Sequence, residues 1–572
     1  MAAARELQTS PYNVTLLEAK DHLGGRTRTI HFTSKDSKHS NSQQESSTIA
    51  VDMGGMYWHG ISPILQQLSS PSHNPETNTT TPPLFVPLTS GGKSSHPFGI
   101  HAQWRHYHPD ESMLGRPSDQ TAPEMPRSNG TWVTLSSMDR ATVLYERWQQ
   151  HVRQNYQHHM TGTASIETVA GKVSLSLPRE EGVTSVTNVQ TSLLPLSDDL
   201  CEQRPHTQFY TNDTESDTSI PPVNLLSCWT QEFRDHHLTN ESDRQVLDYV
   251  LEMSFQQDVG ASLSEIDLDG LANGWDWIDY PGDDTISQSG MVALIEALRR
   301  EIVGDRNEVE EKKQDGSARE NGKVAVLTSK RASQIRYRAT DKATQAHCII
   351  ETSDGERYHA DACIVTIPLG VLKERHTTLF EPPLPMDKQQ ALDRSGVAAF
   401  NTLAVQWNIP ICLHNTSATY LLASPDVDNP LRFGFVCPGI LRKGNPFVTQ
   451  FYFSGRDYDF NNQTYWNEQA LRVVQQVVPT VTMANLVDSH VSQWHADPDI
   501  LGSYSIPVAG FNGNADRQIL ARPLGSIVFF AGEHTNTQGR YQSMDGAYET
   551  GIRAARQVLN VFEAQDRTNS FA

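Results

Sequence analysis

The first residue placed to do chemistry is Glu18, which ends the short apolar stretch Val14–Leu17. A dinucleotide-binding βαβ unit uses an acidic residue at the end of a strand to accept hydrogen bonds from a ribose. The acid lies ~20 residues beyond a glycine-rich turn, and counting back ~20 residues from Glu18 passes Met1. The sequence therefore predicts a dinucleotide-binding unit whose first strand and glycine-rich turn are missing. The helix formers Ala2–Leu7 are interpreted as the end of the helix that would follow that turn.

Two glycines and an arginine follow Glu18 and extend this pattern. The segment Leu16–Thr29 reads LLEAKDHLGGRTRT and closely resembles the second FAD segment of flavin amine oxidases. That family includes polyamine oxidases, monoamine oxidases and lysine-specific histone demethylases. The resemblance implies FAD as the cofactor, because paired glycines let backbone approach a pyrophosphate that an arginine neutralises. The implied cofactor-binding residues are Glu18, Lys20, Gly24, Gly25 and Arg26.

The segment Val51–Gly60, VDMGGMYWHG, resembles the family segment that passes the flavin ring. The resemblance implies cofactor contacts from Gly54, Gly55, Met56 and Tyr57. It also places His59 where polyamine oxidases of this family often have a histidine beside the substrate.

The clearest match lies near the C-terminus. VFFAGEHT (528–535) and SMDGAYETG (543–551) together resemble the family's final FAD motif. The match implies a buried strand, a glycine turn and then a helix whose free N–H groups point at the flavin. Its implied cofactor-binding residues are Gly532, Glu533, Ser543 and Met544.

Three residues are candidates for the substrate side. Trp494 and Tyr504 lie in segments that resemble the region supplying an aromatic wall above the flavin, and such walls hold alkylamines. Most of the family has a lysine, after a glycine and an asparagine, that holds a water against the flavin. Gly396–Trp407 resembles that setting, but Thr402 stands where the lysine would be. Threonine supplies no positive charge, which puts oxygen reactivity in question.

Regular elements must position these residues. Helical patterns are predicted at Met138–Tyr156, Arg244–Phe255, Gly290–Ile302 and Asp545–Glu563. Strands are predicted at Asn13–Glu18, Lys323–Leu327, Ala346–Glu351, Ala362–Ile367, Ala399–Trp407, Phe447–Phe453 and Ser526–Ala531. This interleaving predicts an α/β fold. With the resemblance, it implies an FAD-binding Rossmann-like domain, lacking its first strand and GxGxxG turn, and a second, mixed α+β substrate domain.

The chain's 572 residues exceed what one hydrophobic core supports, so two interleaved domains are expected. The FAD-binding domain is assigned residues 1–65, 276–380 and 506–572, and the substrate domain residues 66–275 and 381–505.

The composition indicates which classes of binding partner are expected. A net charge of -21 argues against nucleic acid and suits attraction of a cationic substrate. No apolar run is long enough for a membrane span and no signal-peptide core is visible, so a soluble, by default cytoplasmic, protein is expected. Six scattered cysteines without a CxxC pair predict buried thiols rather than disulfides or a metal site. Oligomeric state is left open.

The leading hypothesis is an FAD-dependent amine oxidase that converts a polyamine-like amine to an imine, with oxygen as acceptor and hydrogen peroxide as product. An L-amino-acid oxidase is the nearest alternative and would need an arginine for the substrate carboxylate. Histone demethylation is disfavoured because no long charged coiled-coil insertion is present. A catalytically impaired flavoprotein with an interaction role is the alternative from another class. The missing glycine turn further predicts weak FAD binding, and a truncated gene model is the simplest explanation for it.

Overall fold

The computed structural model describes residues 1–33, 48–55, 62, 73–74, 79–80, 85–87, 106–108, 131–133, 135–161, 225–239, 241–252, 254–255, 259–261, 263–266, 280, 285–287, 289–303, 324–338, 348–412, 419–422, 428–439, 445–508 and 510–570. Ten α-helices lie in this part: α1 (Ala2–Leu7), α2 (Leu135–Thr161), α3 (Leu225–His237), α4 (Glu241–Glu252), α5 (Val292–Val303), α6 (Leu369–Leu379), α7 (Met386–Arg394), α8 (Gln463–Gln475), α9 (Gly513–Ala521) and α10 (Met544–Ser570). Short 3-10 helices span Leu263–Glu265, Met483–Asn485 and Glu533–Thr535.

The strands of the first half are short. They are β1 (Val14–Leu17), β2 (Thr29–Thr33), β3 (Thr48–Asp52), β4 (His73–Asn74), β5 (Thr79–Thr80), β6 (Phe85–Pro87), β7 (His106–His108), β8 (Thr131–Val133) and β9 (Thr285–Ser287). The remaining strands are β10 (Val324–Leu327), β11 (Ala332–Tyr337), β12 (Cys348–Thr352), β13 (Arg357–Ala360), β14 (Cys363–Val365), β15 (Phe380–Glu381), β16 (Gly396–Val397), β17 (Phe400–Trp407), β18 (Thr419–Leu422), β19 (Gly434–Val436), β20 (Val448–Ser454), β21 (Leu486–Val491), β22 (Ser505–Ile506) and β23 (Val528–Phe530).

Two parallel strand pairs join distant parts of the chain. β1 pairs with β10, with Val14 opposite Val324, and β14 pairs with β23, with Cys363 opposite Val528. Among the described strands, β1 and β23 each have one sheet neighbour. β1 is only half-buried, whereas every residue of β23 is buried.

A seven-stranded sheet has the order β21-β17-β20-β19-β18-β7-β8. Side chains alternate between the two faces of a strand, so Leu403, Val405 and Trp407 of β17 share one face. They pack with Trp466 of α8 in a buried cluster. On the other face, Ala404 packs with the β2–β3 hairpin and with Trp494. This second face carries Thr402, and the sheet therefore positions it toward the hairpin that leads to Gly54.

Two further cores complete the described part. Helices α6, α7 and α9 cover strands β11, β12, β14 and β23 around Leu372, Leu520 and Val528. Helices α2, α3 and α4 pack around Trp148 and Phe233. Burial of each large apolar side chain contributes roughly 1.5–3 kcal/mol, so these clusters supply the rigidity on which the motifs depend.

The predicted helices and strands are confirmed, with ends shifted by a few residues. The helix predicted over Arg244–Phe255, for example, is α4, Glu241–Glu252. The strand predicted over Ala346–Glu351 is β12, Cys348–Thr352.

The prediction that the cysteines are all buried thiols is wrong. Cys412 and Cys437 form a disulfide with a Cα–Cα distance of 6.2 Å, and Cys228 is also disulfide-bonded. Cys348 and Cys363 are free. The spacing of the cysteines in the sequence could not predict this pairing, because a disulfide requires proximity in space. The fold brings together Cys412 and Cys437, which are 25 positions apart. Disulfides are typical of proteins that pass through an oxidising compartment.

No helix of the described part combines the length and apolarity that crossing a bilayer requires.

Candidate functional site

Glu18 lies directly after β1, where the β1–β10 pairing continues. Its N–H donates to the Leu327 carbonyl at 2.9 Å, and its carbonyl accepts from the Lys330 N–H at 2.7 Å. Its Oε1 accepts from the Lys20 N–H at 2.9 Å. Burial raises the pKa of the Glu18 carboxyl. The second carboxylate oxygen has no protein donor among the described residues, which suits a ligand hydroxyl.

The Lys20 side chain is engaged elsewhere. Its Nζ donates to both carboxylate oxygens of Asp497, at 2.6 and 2.5 Å, and lies 3.7 Å from Asp499. Lys20 therefore ties the end of β1 to the segment that follows Trp494.

Gly24 and Gly25 form a turn that needs glycine for its backbone conformation. Their φ angles are 112° and 56°, in the region that residues with a Cβ avoid. The Thr27 N–H donates to the Gly24 carbonyl at 2.9 Å. A Cβ on Gly25 would meet nothing within 4 Å, so open space lies beside this turn, next to Arg26.

Arg26 and Glu533 form a part-buried ion pair. Arg26 Nη1 donates to the Ser503 carbonyl at 2.5 Å and to Glu533 Oε1 at 3.2 Å. Glu533 also accepts from the Ser505 N–H at 3.0 Å, the Ser505 hydroxyl at 2.6 Å and the Gln542 N–H at 3.0 Å. Burial alone would raise the pKa of Glu533, but the charge of Arg26 and these hydrogen bonds lower that pKa to about 2. Glu533 is therefore ionised at neutral pH.

Ser543 caps helix α10. Its Oγ accepts from the Gly546 N–H at 3.0 Å and donates to the Arg540 carbonyl at 2.8 Å, as an N-cap serine does. Gly546 is required, because a Cβ there would lie 1.6 Å from the Arg540 carbonyl oxygen. The preceding residue, Gln542, has a φ of 66°. Its side-chain amide nitrogen, Nε2, is buried and has no hydrogen-bond partner among the described residues.

His534 provides a second unsatisfied group. It is 2% exposed, and burial lowers the pKa of its imidazole to about 4, so the ring is neutral at pH 7. Its Nδ1 is buried and unpartnered within the described part of the chain. Gly532, with a φ of 115°, makes room for the ring, since a Cβ there would lie 2.8 Å from it.

Gly54 and Gly55 are close-packed against protein. A Cβ on Gly54 would lie 1.8 Å from the Arg26 carbonyl oxygen and 3.2 Å from the Trp494 ring, and one on Gly55 would lie 2.9 Å from the sulfur of Met544. These two glycines thus bring β3, the Arg26 turn and the start of α10 together.

Thr402 is 1% exposed. Its N–H donates to the Ser492 hydroxyl at 2.7 Å, and the Ser492 N–H donates to its carbonyl at 2.8 Å. Tyr452 lies opposite it on β20. In this sheet Thr402 therefore brings a hydroxyl, but no charge, to the face that contains Ala404.

The two candidate wall residues belong to different clusters. Trp494 packs with the β2–β3 hairpin and donates from Nε1 to the Met53 carbonyl at 3.2 Å. Tyr504 packs at the edge of the helical cluster, with its ring centroid 5.9 Å from that of Phe400. Phe400 in turn stacks on Tyr452 at 5.5 Å.

Met56, Tyr57 and His59 lie outside the described residues. Among the residues that the sequence analysis did not single out, Ser503, Ser505 and Gln542 all contact the Arg26–Glu533 pair. Ser503 and Ser505 flank the predicted Tyr504, but no pattern in the sequence indicated that Ser503 contacts Arg26 or that Ser505 contacts Glu533.

The described residues fit the FAD that the resemblance implies. Glu18 offers an open carboxylate oxygen at a strand end, the Gly25 turn has free space, and Gln542 and His534 leave buried polar atoms unsatisfied beside the α10 N-terminus. Buried polar atoms are usually hydrogen-bonded in native structures, so these two atoms are available to contact a bound cofactor. In the described part of the chain, no group of three or more His, Cys, Asp or Glu is placed to hold a metal ion.

Comparison with known proteins bears on the family of the chain. The profile of a family described as "Flavin containing amine oxidoreductase" matches residues 1–119 and 208–559. Lysine-specific histone demethylase 1 homolog 3 of Arabidopsis thaliana is 27% identical over 218 residues, which covers 38% of this chain and 13% of that protein. Peroxisomal N(1)-acetyl-spermine/spermidine oxidase of Homo sapiens is 28% identical over 239 residues, covering 38% and 46%. Polyamine oxidase 4 of Oryza sativa subsp. japonica is 30% identical over 227 residues, covering 39% and 44%. The matched region thus spans less than half the length of each of these relatives.

Proposed function

Because this chain belongs to the flavin-containing amine oxidoreductases, whose cofactor is FAD, we propose that it oxidises the C–N bond of a polyamine-like amine to an imine and passes the electrons to oxygen, forming hydrogen peroxide. The observation that carries the proposal is the pair of unsatisfied buried groups, Gln542 Nε2 and His534 Nδ1, beside the Arg26–Glu533 pair. The names of two relatives, a polyamine oxidase and an acetyl-spermine/spermidine oxidase, favour a polyamine-like substrate.

The domain division proposed from the sequence has support from strand pairing. β1–β10 joins residues 1–65 to 276–380, and β14–β23 joins 276–380 to 506–572. The seven-stranded sheet joins β7 and β8, from 66–275, to strands of 381–505. These pairings favour an FAD-binding part and a substrate part, each assembled from separate stretches.

We propose that Glu18 binds the adenosine ribose, Arg26 and the Gly24–Gly25 turn the pyrophosphate, and the α10 N-terminus with Gln542 the flavin end. FAD, when bound, accepts a hydride equivalent from the carbon next to the amine nitrogen. The protein's own contribution is to position the amine and to exclude water. Trp494 and Thr402, both buried and uncharged, suit that role.

The test is a peroxide-coupled screen of purified protein with added FAD over spermine, spermidine, monoamines and L-amino acids. Peroxide from spermine or spermidine supports the proposal. Turnover of L-amino acids alone would identify the alternative oxidase. Silence with every amine, despite FAD bound with its absorbance near ~450 nm, would favour an interaction role.

A further inference from the structure

Gln450 is a fully buried amide at the middle of β20. Its Nε2 donates to the Asp52 carbonyl at 2.6 Å, which fixes the orientation of the amide. Its Oε1 is buried and accepts no hydrogen bond from the described residues. A buried oxygen of this kind loses its water partners without replacement, so Gln450 has a vacant acceptor.

The residues around Gln450 are mostly apolar and offer few hydrogen-bond donors to its oxygen. It lies opposite Ala404 across the sheet, and Ala404 packs with Val448, Met53 and Trp494 in an apolar cluster. The unpartnered oxygen therefore lies beside an apolar cluster, with few buried polar groups on the same face of the sheet. Such an arrangement is typical of binding sites, in which a few polar groups orient a ligand between apolar walls.

Gln450 also lies among the candidate site residues. The carbonyl it holds belongs to Asp52, two residues before Gly54. Thr402 lies opposite Tyr452, two residues along β20 on the same face, and Trp494 shares the apolar cluster that flanks Gln450. The amide is thus next to the residues assigned to the reacting end of the site.

We propose that Gln450 positions the substrate by accepting a hydrogen bond, through Oε1, from an N–H of the bound amine. This inference rests on the proposed function and names the group that would orient its substrate. A neutral amide oxygen accepts a hydrogen bond from the N–H without strongly stabilising the protonated amine. A carboxylate in the same place would stabilise the protonated form. Hydride removal needs the nitrogen lone pair free, so a neutral acceptor suits the reaction.

The chain supplies a matched control in Gln406. It is buried on the same face of the sheet, in β17, and its Nε2 donates to the Thr33 carbonyl at 2.8 Å. Both glutamines thus hold the β2–β3 hairpin through one amide N–H. Gln450 differs in having the buried, unpartnered oxygen.

The experiment compares Gln450→Met with Gln406→Met in the protein reconstituted with FAD. Both variants lose one hydrogen bond to the hairpin, and similar decreases in Tm are expected. Steady-state peroxide assays and calorimetric titration with spermine then measure substrate handling. We expect Gln450→Met to lower kcat/KM and spermine affinity about tenfold, the effect of ~1.4 kcal/mol, with Gln406→Met close to wild type.

Equal losses of spermine affinity in the two variants would overturn the inference, because both would then reflect the hairpin contact. Calorimetry separates this from failure of the proposed function. If wild type binds spermine but forms no peroxide, the oxidase proposal fails while the role of Gln450 in binding is still measured. If wild type binds no amine, both fail. Gln450→Asn, which withdraws the oxygen by one methylene, gives the same comparison should the methionine variant not fold.

Discussion

The Arg26–Glu533 region and the Thr402–Gln450 region have opposite kinds of polarity. In the first, a buried carboxylate is held ionised by Arg26 and by three hydrogen bonds from Ser505 and Gln542. In the second, the polar groups are neutral, and one of them, Gln450 Oε1, has no partner among the described residues.

The difference follows from what each region would bind. An anionic phosphate group needs fixed charge and oriented donors, and these must be paired in the protein to be tolerated when buried. An amine that loses hydride must keep its lone pair, so charge near it is unfavourable. The Arg26–Glu533 pair is therefore held by protein contacts, and only neutral groups beside it, Gln542 Nε2 and His534 Nδ1, are left for a ligand. In the neutral region the group left for a ligand is Gln450 Oε1.

The largest effect is expected on removing the buried anion. Glu533→Ala leaves Arg26 partly buried without its carboxylate and leaves the Ser505 and Gln542 donors unsatisfied. Loss of one partner of a buried pair costs about 3–5 kcal/mol, and we expect that decrease in the free energy of unfolding together with loss of FAD binding, measured by urea denaturation with and without FAD.

Glu549→Ala, in the neighbouring helix α10, is the matched control. Glu549 pairs with Arg540 at 2.8 Å but is more exposed, with 23% of its side chain accessible against 4% for Glu533. A loss in Glu549→Ala equal to that in Glu533→Ala would show that burial does not set the charged region apart.

The pH dependence of stability gives the next largest effect. The pKa of buried His534 is lowered from 6.5 to about 4, so the unfolded state binds its proton first as pH falls. Stability is therefore lost between about pH 6.5 and 4, by on the order of 3 kcal/mol. His534→Gln should flatten the profile in that window, as measured by thermal unfolding. A profile unchanged by the substitution would contradict this assignment. Glu533, with a lowered pKa of about 2, contributes its loss of stability at lower pH, below about 4.5.

Substitutions of Gly54 and Gly25 are expected to change stability by smaller amounts. Gly54→Ala forces a Cβ into the Arg26 carbonyl, so the backbone must shift, and a loss of about 1–3 kcal/mol is expected. Gly25→Ala meets open space and should cost only about 1–2 kcal/mol for its left-handed conformation. We expect Gly25→Ala to reduce FAD affinity more than its effect on unfolding accounts for, because the methyl enters the space beside the turn. Equal FAD affinities for wild type and Gly25→Ala would contradict a role for that space.

The sequence was sufficient for most elements, but it did not predict that Arg26 and Glu533 pair with each other. Apolar runs predicted β1, β17 and β23. The family resemblance implied Glu18, Gly25 and Glu533 as cofactor-binding residues, and that role stays a prediction. Gln450 could not be found this way, because its role depends on contact with Asp52, 398 residues earlier. The same limit explains Cys412 and Cys437, whose pairing exists only in the folded chain. Long-range contacts of buried polar groups leave no periodic signal.

The smallest expected change in stability is that of Thr402→Val. Valine has nearly the shape of threonine, and the Thr402 backbone contacts to Ser492 are kept, so the free energy of unfolding should change by less than about 1 kcal/mol. The hydroxyl is the one polar group that the residue offers where most of the family has a lysine. If it holds a water for the oxygen step, the variant should reduce FAD normally with amine under anaerobic conditions yet form peroxide more slowly in stopped-flow reoxidation. Ser492→Ala, which removes the hydroxyl that supports the Thr402 N–H, controls for simple displacement of the strand. An unchanged reoxidation rate in Thr402→Val would mean that the neutral region serves the amine alone, and that oxygen reacts without help from this strand.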